Sequence, residues 1–166
     1  MSVEVVLEDA RWQEPGLEAL ADRACGTVLA HFQMDPQAHA VSLLGCDDAR
    51  IAGLNRQFRG KDGPTNVLSW PAEGDFPARL AGMEGEPKEL GDIAIAWDTC
   101  EREAREQGKR FDDHVTHLLV HACLHLLGYD HIDPDDAAEM EALEVEILGG
   151  LGISDPYIYK GEEHGL

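Results

Sequence analysis

The stretch from Asp112 to Leu127 constrains this chain more than any other. It carries Leu118, Leu119, Val120, Leu124, Leu126 and Leu127. A segment this apolar and this long reads as a helix buried in the fold. Gly128 follows it and supplies the left-handed geometry at which a helix stops. The remaining elements must be able to cover it.

Their signals are short and alternate in type. Val3–Leu7, Ala38–Cys46, Asn66–Trp70 and Gly91–Ala96 are β-rich runs that read as strands. Between Pro15 and about Phe32, Leu17, Leu20, Ala21, Ala24, Val28 and Leu29 recur at helical spacing. Asp47 and Asp48 supply an N-cap and a negative first turn for a helix to about Phe58. Asp98 with Glu101 resembles a capping box opening a helix to Gln107. Asp133-Pro134 opens a last helix that fades at Gly149-Gly150. Residues 71–89, rich in proline, glycine and acids, read as a mobile loop, and 154–166 as a short tail. The expectation is one α+β domain over residues 1–166, with helices packed on a mixed sheet of about four strands.

Charge narrows the partners. Thirty-three acids against 13 bases give a net charge of −20. That excludes a generic basic nucleic-acid binder and argues against an anionic membrane surface. Residues 49–70 run the other way: Arg50, Arg56, Arg59 and Lys61 face one acid, Asp62. By charge alone this island reads as a solvated helix face. Cys25, Cys46, Cys100 and Cys123 form no CxxC pair, so they read as small apolar residues of a reducing compartment. The acidic opening has no signal-peptide pattern, and no apolar run reaches membrane-spanning length. A cytoplasmic protein is expected.

The chemistry concentrates in His121-Ala-Cys-Leu-His125-Leu-Leu-Gly128-Tyr-Asp-His131. His121 and His125 are four apart, so they share one helix face about 6 Å apart along the axis. The turn at Gly128 can bring His131 back toward them. Three nitrogen ligands and an open fourth position describe a catalytic zinc site of the hydrolase kind, one ion completed by water. The spacing HxxxHxxGxxH is that of the metzincin pattern, in which Glu follows the first histidine as general base. Here that position is Ala122, which accepts no proton. Spacing alone therefore supports a metal-dependent hydrolase. His117, one turn before His121, either orients a ligand, shuttles a proton or binds substrate, or is simply a capped or solvated histidine. Asp130 is either a carboxylate behind His131 or a turn residue. Cys123 points away from the histidine face and reads as core.

The same segment resembles the HGxLHLLGYDH signature of the YbeY-type bacterial endoribonucleases, the rRNA maturation factors. Leu54-Asn55 to Phe58-Arg59 and Pro64-Thr-Asn-Val-Leu-Ser-Trp70 resemble that family's LNxxYR and PTDVLSF segments. Leu90-Gly-Asp-Ile is similar to its LGDI strand, and Met140-Glu-Ala-Leu-Glu144 and Asp155-Pro-Tyr157 to its C-terminal end. Three positions depart from the pattern: Ala122 for glycine, Asn66 for aspartate and Trp70 for phenylalanine. Asn66 removes a charge.

The resemblance implies a metal-dependent, single-strand-specific endoribonuclease. It implies action at the small-subunit 16S rRNA 3′ end and in ribosome quality control. It maps the metal ligands onto His121, His125 and His131 and an RNA-cleaving arginine onto Arg59. The implied partners are single-stranded rRNA precursor, with the small ribosomal subunit or an assembly GTPase, and neither DNA nor membrane. Arg59 suits bidentate phosphate binding and stabilisation of charge in the transition state. Attack on phosphorus by a metal-activated water, or by the RNA 2′-OH with His117 or metal-bound hydroxide as base, both stay open. Two other readings compete: a zinc peptidase, and a non-catalytic ribosome-assembly factor with a structural metal.

Overall fold

The structure, a computed structural model, describes residues 3–72, 88–129 and 133–157. Strands β1 (Val3–Leu7), β2 (His39–Cys46), β3 (Val67–Pro71) and β4 (Lys88–Ala96) form one sheet in the order β1-β2-β4-β3. β1 and β2 are parallel, β2 and β4 are parallel, and β3 runs antiparallel to β4. The described residues also hold five α-helices: α1 (Leu17–His31), α2 (Asp48–Arg59), α3 (Trp97–Gln107), α4 (Phe111–Leu126) and α5 (Pro134–Gly150). This is the expected α+β domain with a mixed sheet.

The strand periodicity assigns the layers. In β2, Val41 and Leu43 face the main core with α1 and α4, while Leu44 and Cys46 face α2. Ile51 and Leu54 of α2 pack there against Ala94 and Ala96 of β4. α4 packs against α1, α3, α5 and the edge strand β3, so it is the central helix its composition requires. Leu119, Val120, Ala122, Cys123 and Leu124 are fully buried. Gly128, at φ +105°, ends its last turn.

Three local readings change. The first helix starts at Leu17 rather than Pro15, because Gly16 at φ +72° breaks the chain direction before it. A 3-10 turn, Ala10–Gln13, precedes it and buries Trp12 completely. The indole donates to the Cys46 carbonyl at 3.0 Å and packs with Trp97 and Phe111. Asp98 is not the cap of α3. Ala96 holds that position, and the Asp98 carboxylate binds Arg11 and the Asp48 backbone N–H instead. A long-range arginine competes successfully for a carboxylate that local spacing assigns to its own helix.

β4 begins three residues earlier than Gly91 and pairs with β2 through a bulge, since Ala40 opposes Glu89 and Val41 opposes Gly91. Gly91 takes φ +146°, and a Cβ there would collide with the Trp70 carbonyl oxygen. Glycine is required at that close approach. No described helix is long and apolar enough to cross a membrane. All four cysteines are buried free thiols. Burial pushes Cys46 up to about 12, which keeps it protonated and unreactive at neutral pH.

Candidate active site

His117, His121 and His125 project from successive turns of α4 into one cavity of about 400 Å³. Arg59, Asn66 and Ser69 line it from the opposite side, and Tyr157 from the C-terminal segment. The helical spacing of four is what aligns the three imidazoles. Arg59 arrives there because α2 ends at Gly60, whose φ of 64° turns the chain toward β3. The buried Asn55 fastens that turn by donating to the Gly63 carbonyl at 3.0 Å.

Ser69 joins the two sides. Its carbonyl accepts from Arg59 Nη2 at 2.5 Å, and its hydroxyl lies 2.5 Å from His125 Nδ1. One residue of the edge strand thereby places the guanidinium relative to the imidazole. The basic island, read by charge alone as a solvated face, contributes two members to the cavity, Arg59 and Lys61.

Behind the histidines lies Glu144 of α5, with no exposed surface. Its Oε1 accepts from His117 Nε2 and from the Tyr157 hydroxyl, both at 2.6 Å. Its Oε2 accepts from His121 Nδ1 at 3.1 Å. Burial alone would raise this carboxyl, but bonds from His117, His121 and Tyr157 outweigh it and bring it to about 2. Burial holds the His117 imidazole below its usual value, with Glu144 opposing. His117 Nδ1 is buried without a hydrogen-bond partner, so its Nε2 is the nitrogen the fold uses.

Two of the described imidazoles, His121 and His125, have the chemistry to contribute to holding a metal ion. With Nδ1–H of His121 given to a carboxylate, its Nε2 carries the lone pair a metal requires. His125 has the same nitrogen engaged, by Ser69. His131 and Asp130 lie outside the described residues. Among the described residues no group of three His, Cys, Asp or Glu side chains is placed to hold a metal.

Asn66 does work that an aspartate would not. Its Nδ2 donates to Glu103 Oε1 at 3.0 Å, and its Oδ1 accepts from the Val67 N–H. His114 Nε2 donates to the same Glu103 oxygen at 2.9 Å. Burial raises Glu103, but these bonds from His114 and Asn66 outweigh it and leave it below the usual glutamate value. A carboxylate lowered on folding stabilises the fold fully above its unfolded value, and that contribution fades as pH falls toward the folded value. Asn66→Asp replaces a donor with a second carboxylate about 3 Å away. Urea unfolding at pH 7 is expected to show a loss of about 1–3 kcal/mol. The deficit should narrow as pH falls, because repulsion within the pair makes one carboxyl take up a proton more readily than an isolated one.

Sequence reasoning assigned no role to Ser69, Glu144 or Tyr157. Glu144 did leave a signal: Met140, Glu144, Ile147 and Leu148 form the buried stripe of α5, and an acid occupies one of its positions. Ser69 left none beyond its place in a resembling segment.

Comparison with known proteins finds relatives over most of the chain. The family model described as Endoribonuclease YbeY matches residues 3–152. An Endoribonuclease YbeY from Paracoccus denitrificans is 59% identical over 94% of this chain and 90% of its own length. Another from Ruegeria pomeroyi is 56% identical over 95% of this chain and 98% of its own. The solution structure of a Thermotoga maritima protein shares the fold, with a TM-score of 0.55 and 24% identity over 94% of this chain and 99% of that one.

Proposed function

This chain belongs to the YbeY endoribonuclease family, and on that premise we propose that it is a metal-dependent endoribonuclease cleaving single-stranded RNA at the 3′ end of the small-subunit rRNA precursor. The observation that carries the reading is the shared cavity of Arg59, His121 and His125, with Ser69 bridging its two sides. Together they offer one group for a phosphate and two for an ion.

In this reading His121, His125 and His131 hold one zinc ion. Such an ion supplies Lewis-acid polarisation of a phosphoryl oxygen. Arg59 receives the scissile phosphate and, fixed by the Ser69 carbonyl, stabilises the negative charge that grows on it. His117 stands beside the ligands with its Nε2 proton held on Glu144. The peptidase reading gains nothing, since the residue after His121 is the fully buried Ala122. The ribosomal small subunit or an assembly GTPase delivers the RNA, and the protein acts in the cytoplasm, where that precursor is made.

The test is cleavage of a labelled rRNA 3′-precursor fragment by the zinc-loaded protein, beside the same fragment annealed to its complement. Cuts in the single strand and not the duplex are expected. Casein digestion without RNA cleavage would overturn the reading.

The net charge of −20 sets a second expectation. Tight non-specific binding needs many phosphate contacts, and this surface offers few. Fluorescence anisotropy with arbitrary single strands at ~0.15 M salt should give dissociation constants no tighter than about 1 μM. Nanomolar affinity would show that no delivery partner is needed.

A further inference from the structure

We propose that Glu144 is the positioning residue of this site: its buried carboxylate fixes the protonated nitrogen of two histidines at once, Nδ1 of His121 and Nε2 of His117. The inference rests on the reading of His121 as a ligand and names what makes it one.

The location of Glu144 argues for a dedicated role. α5 is rich in acids, and Asp135, Asp136, Glu139, Glu141 and Glu146 are all exposed. Glu144 alone among these six acids is buried, between Met140 and Ile147 on the apolar stripe. An unpaired carboxylate there would cost several kcal/mol, so its donors must be in place for the helix to dock. Those donors are His117, His121 and Tyr157.

The chemistry follows from what an ionised carboxylate does. It only accepts, so each imidazole nitrogen facing it must carry the proton. In His121 that places the proton on Nδ1 and leaves Nε2 basic. The carboxylate also makes that imidazole a stronger donor and holds its ring orientation. Tyr157 shares the Oε1 oxygen with His117, so the C-terminal segment is latched to the same group.

Nitrogen-15 NMR of histidine-labelled, metal-free, full-length protein reads the tautomers directly. Wild type should show His121 as Nδ1–H and His117 as Nε2–H. Glu144→Gln should disturb the His121 signal and weaken zinc binding, measured against a competing chelator, by about 10–100-fold. Glu144→Asp should recover part of that affinity. Tyr157→Phe, which removes a donor from Oε1 and leaves the Oε2 bond to His121 in place, should leave the His121 tautomer unchanged. A wild-type His121 protonated on Nε2 overturns the proposal even if the glutamine variant fails to fold. So does a folded Glu144→Gln protein with wild-type zinc affinity. Wild-type protein with the expected tautomers but no zinc binding would instead remove the metal reading of the site, and with it any ligand role that Glu144 supports.

Discussion

Alanine at His125 should empty the site and stop RNA cleavage. Elemental analysis of the purified variant is expected to find zinc far below one equivalent, and cleavage of the precursor fragment should fall at least ~1,000-fold, the scale of losing a metal's charge stabilisation. His121→Ala should do the same. The two differ in their side effects. His125 is half-buried, and its partner Ser69 keeps a hydroxyl that water can satisfy. Alanine also favours the helix. Loss of function there reads on the site and not on folding. His121→Ala withdraws a donor from the fully buried Glu144 and should cost stability as well. Circular dichroism and thermal unfolding separate the two contributions. Full zinc content in either variant would remove that histidine from the ligand set.

Arg59→Ala should behave in the opposite way, keeping the metal and losing the reaction. The side chain lies at the end of α2, outside the apolar core, and its bond to the Ser69 carbonyl is its fixed contact. Deleting a preorganised charge stabiliser typically costs about 100–1,000-fold in rate, and that range is expected for precursor cleavage. Zinc content should match wild type. Arg59→Lys should restore little, because a lysine lacks the planar fork that binds one phosphate through two parallel hydrogen bonds while also reaching Ser69. Wild-type cleavage by the alanine variant would sink the assignment.

These predictions rest on residues of unequal visibility. The histidines were legible because spacing of four on a helix is a geometric statement: it puts His117, His121 and His125 on one face wherever the helix goes. Arg59 was visible as part of a charge contrast and through family resemblance, but nothing local said that it faces those histidines. The reading of Asp98 as a helix cap failed for a related reason. Its partner, Arg11, is remote in sequence, and a capping pattern counts only neighbours.

The element types and their order were set by local patterning. Alternation made the strands, helical spacing made α1 and α4, and an apolar α4 had to be central because no exposed surface could accept it. Tertiary structure decided what converges on that helix. The pairing of β3 on the edge of β4 brings Ser69 against His125, and the docking of α5 turns a single acid among many into the partner of two imidazoles. The physical reason is that periodicity records which face of an element is buried, whereas hydrogen bonds between elements depend on register and approach. Those are set only when the core closes.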